Sequence, residues 1–173
     1  ENAIEKSDGR PVYIQPIGIE YSDYFRFRGK VLVRFGKPIN VNKFLEEHPD
    51  EPTPVAMLQM RGLLTDALAK EIVYIPDDED YDAIWEYVKL KADNCEYFKK
   101  ALAEIESRDG KKLKGLLRIQ AVDKYAVAEA LKLREEEPEK ARDLFAKVDA
   151  LRVWRIQNGI SVYSIAREPG AFR

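Results

Sequence analysis

The chain has one cysteine and one histidine among its 173 residues. A single cysteine cannot close a disulfide within the chain, so a reducing, intracellular compartment is the expectation. Cys95 falls in a helical pattern among acidic and aromatic neighbours, Asp93-Asn94-Cys95-Glu96-Tyr97-Phe98. With no basic group or imidazole beside it, it reads as a small, buried or half-buried helix residue and not as a nucleophile. His48 has carboxylates near it at Glu46, Glu47, Asp50 and Glu51. One imidazole with no thiol partner is a poor ligand set, so His48 reads as an exposed loop residue, with no metal site and no catalytic residue expected. Long apolar runs are missing too: none approaches the roughly 20 residues of a membrane span. Charge of either sign is not in excess. The formal net charge of −2 gives no global attraction to nucleic acid or to an anionic membrane.

What is present is 45% hydrophobic and 35% charged residues, the balance of a helix-rich globular chain. Two compositions divide it. Asp8-Gly9-Arg10-Pro11 is a turn signal. Two strand-like runs follow, Val12–Ile19 and Lys30–Phe35. The first is apolar on both faces apart from Gln15, the pattern of a central strand covered by helices. It also contains Pro16 and Gly18, which cost sheet stability and call for compensation. The second alternates, with Val31, Val33 and Phe35 on one side and Leu32 and Arg34 on the other. The segment Phe44–Pro54 holds three prolines in close succession and reads as a stiff loop, not a helix.

From Val55 the period changes to that of helices. Met57, Met60, Leu64, Leu68, Ile72 and Ile75 make one stripe. Tyr81, Ile84, Trp85, Val88 and Ala92 start another. Phe98, Ala101, Leu102 and Ile105 extend it, as one long helix ending before Asp109-Gly110. A further helix begins near Leu113 and runs to Glu135–Glu137. Pro138 opens the last one, striped by Ala141, Leu144, Phe145, Val148 and Leu151 and stopped at Asn158-Gly159. The aromatics Tyr81, Trp85, Phe98, Phe145 and Trp154 read as bundle core. Ile160–Ile165 alternates and reads as a short strand or extended segment. The expected fold class is therefore α+β: a short β-strand piece in residues 1–54, then a mostly antiparallel α-helical region in 55–173. The boundary falls at residue 54 or one helix later.

Ile14, Pro16, Ile17 and Gly18, followed by Val31, Val33, Phe35, Gly36, Lys37, Pro38 and Ile39, carry a resemblance. They are similar to the last shared motif of the glycerolipid acyltransferase family, which includes the 1-acylglycerol-3-phosphate acyltransferases. The likeness covers roughly the first 45 residues well and the remainder weakly. The family's His-x-x-x-x-Asp catalytic motif and Glu-Gly-Thr-Arg phosphate loop have no counterpart here: the position that His48 would pair with is Thr53. The chain also starts at Glu1 without methionine. It reads as the C-terminal part of a larger acyltransferase, or as a homologue that lost its active site.

The resemblance implies an intact enzyme that moves a fatty acyl group from a thioester donor, acyl-CoA or acyl carrier protein, to a glycerol-phosphate-like acceptor. A His–Asp pair outside this chain would be its general base. Pro16, Ile17 and Gly18 would shape the acyl site. Arg26, Arg28 and Lys37 would contact phosphate or an anionic headgroup, and no cofactor is required. The basic and aromatic stretch Tyr21–Lys37 suits a membrane interface, so the implied location is cytoplasmic, with peripheral contact at the inner membrane face. Arg28–Phe35 echoes an RNA-binding strand signature. Lys30, Val31 and Leu32 replace its aromatic, small and aromatic positions, so no nucleic-acid partner is expected. A two-stranded piece is marginal alone, and its free edge offers a route to self-association. A non-catalytic helical interaction or regulatory module is the alternative reading.

Overall fold

The computed structural model describes residues 6–21 and 30–162. The chain divides into two compact units, Glu1–Ile72 and Val73–Arg173. The first long helix thus belongs with the strands, one helix beyond the division at residue 54.

In the first unit, β1 (Tyr13–Ile14) pairs antiparallel with β4 (Ile39–Asn40), and β2 (Ile17–Tyr21) pairs antiparallel with β3 (Val31–Phe35). Between these ladders Gln15-Pro16 opposes Gly36-Lys37-Pro38. The two prolines lack the N–H a continuous ladder would use, and they sit where the ladder breaks. The gap is held by Gly36 N–H donating to the Pro16 carbonyl at 2.9 Å, and by the Gln15 amide donating to the Gly36 carbonyl at 2.6 Å. These bonds are the compensation that a proline inside the run requires.

Helix α1 (Val41–Glu47) follows directly from β4. Asn40 caps it by accepting from the Lys43 amide. This helix takes up Phe44, which the proline-rich reading had placed in a loop; the loop itself is shorter and begins at His48. His48 is half-buried, not exposed. Its Nδ1 lies 2.7 Å from the Phe44 carbonyl and its ring stacks on Phe44 at 4.4 Å, so it closes the helix end. Helix α2 (Thr53–Glu71) starts at Pro54 in its first turn and packs against β2. It stops at Ile72, short of Ile75, and Ile75 joins the core of the second unit.

The second unit is helical: α3 (Tyr81–Ala92), α4 (Cys95–Asp109), α5 (Leu116–Glu136) and α6 (Pro138–Gln157). The expected single helix over 81–109 is broken at Asp93-Asn94. Asn94 turns its side chain back to accept from the Tyr97 amide, which caps a new helix. That same break leaves Cys95 exposed in the first turn of α4 and not buried. Gly110, in left-handed conformation, ends α4.

Ion pairs give the helix directions. Lys89–Asp123 and Arg134–Asp78 run α5 antiparallel to α3, and Asp82–Arg152 and Glu86–Arg155 fasten α6 to α3. Ile84, Val88, Ala126, Ala130 and Phe145 form the main core, and Ala92, Leu102, Ile105 and Val122 a second one. Trp85 and Trp154 lie outside both, each about half exposed, contrary to their expected place in the bundle core. On α3 the buried place beside Trp85 goes to Glu86, which is 2% exposed and held by both arms of Arg155 at 2.7 and 2.8 Å. Residues 163–165 of the expected C-terminal strand lie outside the described residues.

Candidate functional site

Of the motif residues, Ile17, Gly18, Val31, Val33 and Phe35 lie on the β2–β3 ribbon, Ile14 and Ile39 on the β1–β4 pair, and Pro16, Gly36, Lys37 and Pro38 on the links between them. The register of the ribbon sets Ile17 opposite Phe35, Ile19 opposite Val33 and Tyr21 opposite Val31; Gly18, Glu20, Leu32 and Arg34 occupy the alternate face. Side chains alternate across a strand, so the ribbon has two distinct faces.

The inner face carries Gly18 and Arg34 and packs on the C-terminal end of α2. A Cβ on Gly18 would lie 2.6 Å from the Glu71 carbonyl oxygen, so only glycine allows this approach. Arg34 donates from Nε to the Glu71 carboxylate at 2.9 Å. A Cβ on Gly36 would lie 3.3 Å from the Glu71 Cγ, the Glu71 Oε1 and the Pro16 Cβ. Pro16 is fully buried. Glu71 is thus the hub under the motif. Sequence spacing gave no hint of it, because it lies on α2, 37 residues from its ion-pair partner.

Pro16 and Gly18 therefore face the helix, and what they do geometrically is bring α2 up to the ribbon. Ile17 faces the other way. Lys37 is exposed on the link between β3 and β4, at the Ile17–Phe35 end of the ribbon. Arg26 and Arg28 lie outside the described residues; the strand ends that they connect, Tyr21 and Lys30, are at the opposite end. Four residue steps at about 3.4 Å separate the two ends, so Lys37 and the connection do not leave the ribbon at one place.

The outer face is apolar throughout. Ile17, Ile19, Tyr21, Val31, Val33 and Phe35 are between 42% and 69% exposed. The run that reads as covered on both sides is covered on one. Helix α2 likewise leaves Val55, Met57, Leu58 and Leu63 exposed. Among the described residues of this unit only Pro16, Gly18, Phe44 and Ala56 are buried. Its large apolar side chains are mostly outside it, the reverse of the second unit.

An open hollow of about 480 Å³ in the second unit is lined by Tyr87, Arg108, Tyr125, Glu129 and Lys132. Its polar groups are engaged within the bundle. Tyr125 donates to Glu104, Tyr97 donates to Glu129, and Lys91 sits 3.8 Å from Glu129 and over the Tyr97 ring. Burial, together with the Glu129 carboxylate, pushes the Tyr97 hydroxyl well above the usual tyrosine range. Among the described residues no group of three or more His, Cys, Asp or Glu could hold a metal ion, and no helix is long and apolar enough to cross a membrane. Comparison with protein-family models, curated proteins and solved structures finds no match to this chain.

Proposed function

We propose that this chain is the C-terminal part of a glycerolipid-acyltransferase-like enzyme, which transfers a fatty acyl group from a thioester carrier to a glycerol-phosphate-like acceptor. The observation that carries the reading is the β2–β3 ribbon. It sets Ile17–Tyr21 in register with Val31–Phe35, and its outer apolar face is largely exposed. A self-sufficient domain buries such a face; a part of a larger sheet domain presents it.

In this reading the chain supplies scaffold and no proton transfer. Pro16 and Gly18 fix the ribbon to α2, Ile17 lies on the open side, and Lys37 marks the Ile17–Phe35 end for an anionic group, with Arg26 and Arg28 on the connection between the strands. The general base belongs to a His-x-x-x-x-Asp that this chain does not contain.

The test is complementation. The N-terminal half of a 1-acylglycerol-3-phosphate acyltransferase, carrying the His–Asp and Glu-Gly-Thr-Arg motifs, is co-expressed with this chain as a separate polypeptide. Transfer from radiolabelled acyl-CoA or acyl carrier protein to lysophosphatidic acid is then measured. Activity is expected from the pair and from neither part alone. Acyl transfer by the 173 residues alone, or none from the pair, would overturn the reading.

A further inference from the structure

We infer that the link between α4 and α5, with the first turn of α5, is a docking surface for an anionic lipid bilayer. The inference concerns the second unit alone and does not rest on the function proposed above. The stretch Lys111-Lys112-Leu113-Lys114-Gly115-Leu116-Leu117-Arg118-Ile119 holds four cations and no acidic residue. It carries a formal +4 in a chain of net −2, so the remaining residues together carry −6. An anionic surface therefore repels most of the chain and attracts this edge, which fixes the orientation of approach.

The fold keeps these charges outward. Gly110 and Gly115, both at positive φ, reverse the chain between the two helices. Between them Leu113 packs against the second core, and its amide donates to the Glu106 carboxylate at 2.9 Å. With Leu113 drawn in, Lys111, Lys112 and Lys114 stay exposed. Asp109, next in sequence, is taken by Arg108 at 2.9 Å. Among the described residues none of the three lysines has an ion-pair partner. Lysines on the other helices are matched: Lys89, Lys91, Lys132, Lys140 and Lys147 each have a carboxylate 2.6–3.8 Å away.

Aliphatic groups stand beside the cations. Leu117 is 37% and Ile119 43% exposed, on either side of Arg118. Coulombic attraction to headgroups and burial of aliphatic side chains at the acyl boundary together make a peripheral membrane contact. A single nucleic-acid strand would call for open rings on which bases stack. The ring at this edge, Phe98, is instead covered by the Arg118 guanidinium, 5.7 Å from its centroid.

The experiment is flotation of the 173-residue chain with phosphatidylcholine vesicles, with and without phosphatidylglycerol, at low and at high salt. The edge variant is Lys111→Gln with Lys112→Gln and Lys114→Gln. Lys43→Gln with Lys140→Gln and Lys147→Gln, all exposed, is the control of equal net charge. Circular dichroism checks that each keeps its helices. Expected is flotation with the anionic vesicles only. One lysine near such a surface is worth about fivefold in binding, so the edge variant should bind on the order of a hundredfold more weakly. The control should keep most of the binding, and Leu117→Ser with Ile119→Ser should lose the part that survives high salt. No flotation of the parent chain, equal flotation with neutral vesicles, or equal loss in the edge and control variants would overturn the inference. Retention of polyuridylate that the edge variant loses, without flotation, would assign the edge to nucleic acid and overturn it as well.

Discussion

Replacing Gly18 with alanine would place a methyl carbon 2.6 Å from the Glu71 carbonyl oxygen and 2.9 Å from its carbonyl carbon. These are backbone atoms at the end of a 19-residue helix, so they cannot swing aside as a side chain tip would. Either α2 lifts from the ribbon or the strand bends. Overpacking of this kind costs about 1–3 kcal/mol, on the order of ten- to a hundredfold in local opening. Gly62, on the same helix, meets nothing within 4 Å. There an alanine removes the helix cost of glycine, so Gly62→Ala should stabilise α2 by up to about 1 kcal/mol. Amide hydrogen exchange separates the units. The Ile17–Tyr21 and Val31–Phe35 amides should exchange faster in Gly18→Ala and not in Gly62→Ala. Trp85 and Trp154 both lie in the second unit, so tryptophan-monitored unfolding of that unit should change in neither variant. Unchanged exchange in Gly18→Ala would refute the close approach of α2 to the ribbon.

Glu86→Ala leaves the Arg155 guanidinium, 15% exposed, without its bidentate partner, and should cost about 3–5 kcal/mol in urea unfolding followed by tryptophan fluorescence; replacing both residues by apolar side chains of similar size should restore most of that. Asn94→Ala removes the cap of α4 and should cost about 1 kcal/mol in the same assay, with exchange rising first in the amides after Cys95. The Arg134 guanidinium holds the Asp78 carboxylate below its ordinary 3.8. A carboxylate with a lowered folded value contributes stability above its unfolded value, and that contribution is lost as pH falls through the folded one. Asp78→Asn should therefore be less stable than the parent near neutrality, and the difference should close in acid below about pH 4; a difference that persists there would contradict the pairing.

The strands and most helices were legible because their periodicities are strong and local. Val31, Val33 and Phe35 alternate, and Ala141, Phe145 and Val148 recur at helical spacing; each pattern found its element. What misled was local chemistry with two readings. Asn94 is both a tolerable helix residue and a good cap, and only the tertiary turn between α3 and α4 selects the cap. The prolines after His48 marked a loop correctly, but Asn40 had already capped a short helix ahead of them. Trp85 is large and apolar, yet it is half exposed while its neighbour Glu86 is buried, because Arg155 arrives from α6 to neutralise the carboxylate. The reason for Gly18 was not legible either. Its partner is the Glu71 backbone on another element, and no spacing rule links the two. The two-faced apolarity of Val12–Ile19 reads as coverage on both sides, whereas Ile17 and Ile19 are exposed.

The central claim is that the ribbon belongs to a larger acyltransferase domain, and the measurement closest to it is the intact mass and N-terminal sequence of the protein purified from its natural source. The account predicts further residues ahead of Glu1 that include a His-x-x-x-x-Asp. A natural polypeptide whose first residue is Glu1 would contradict it.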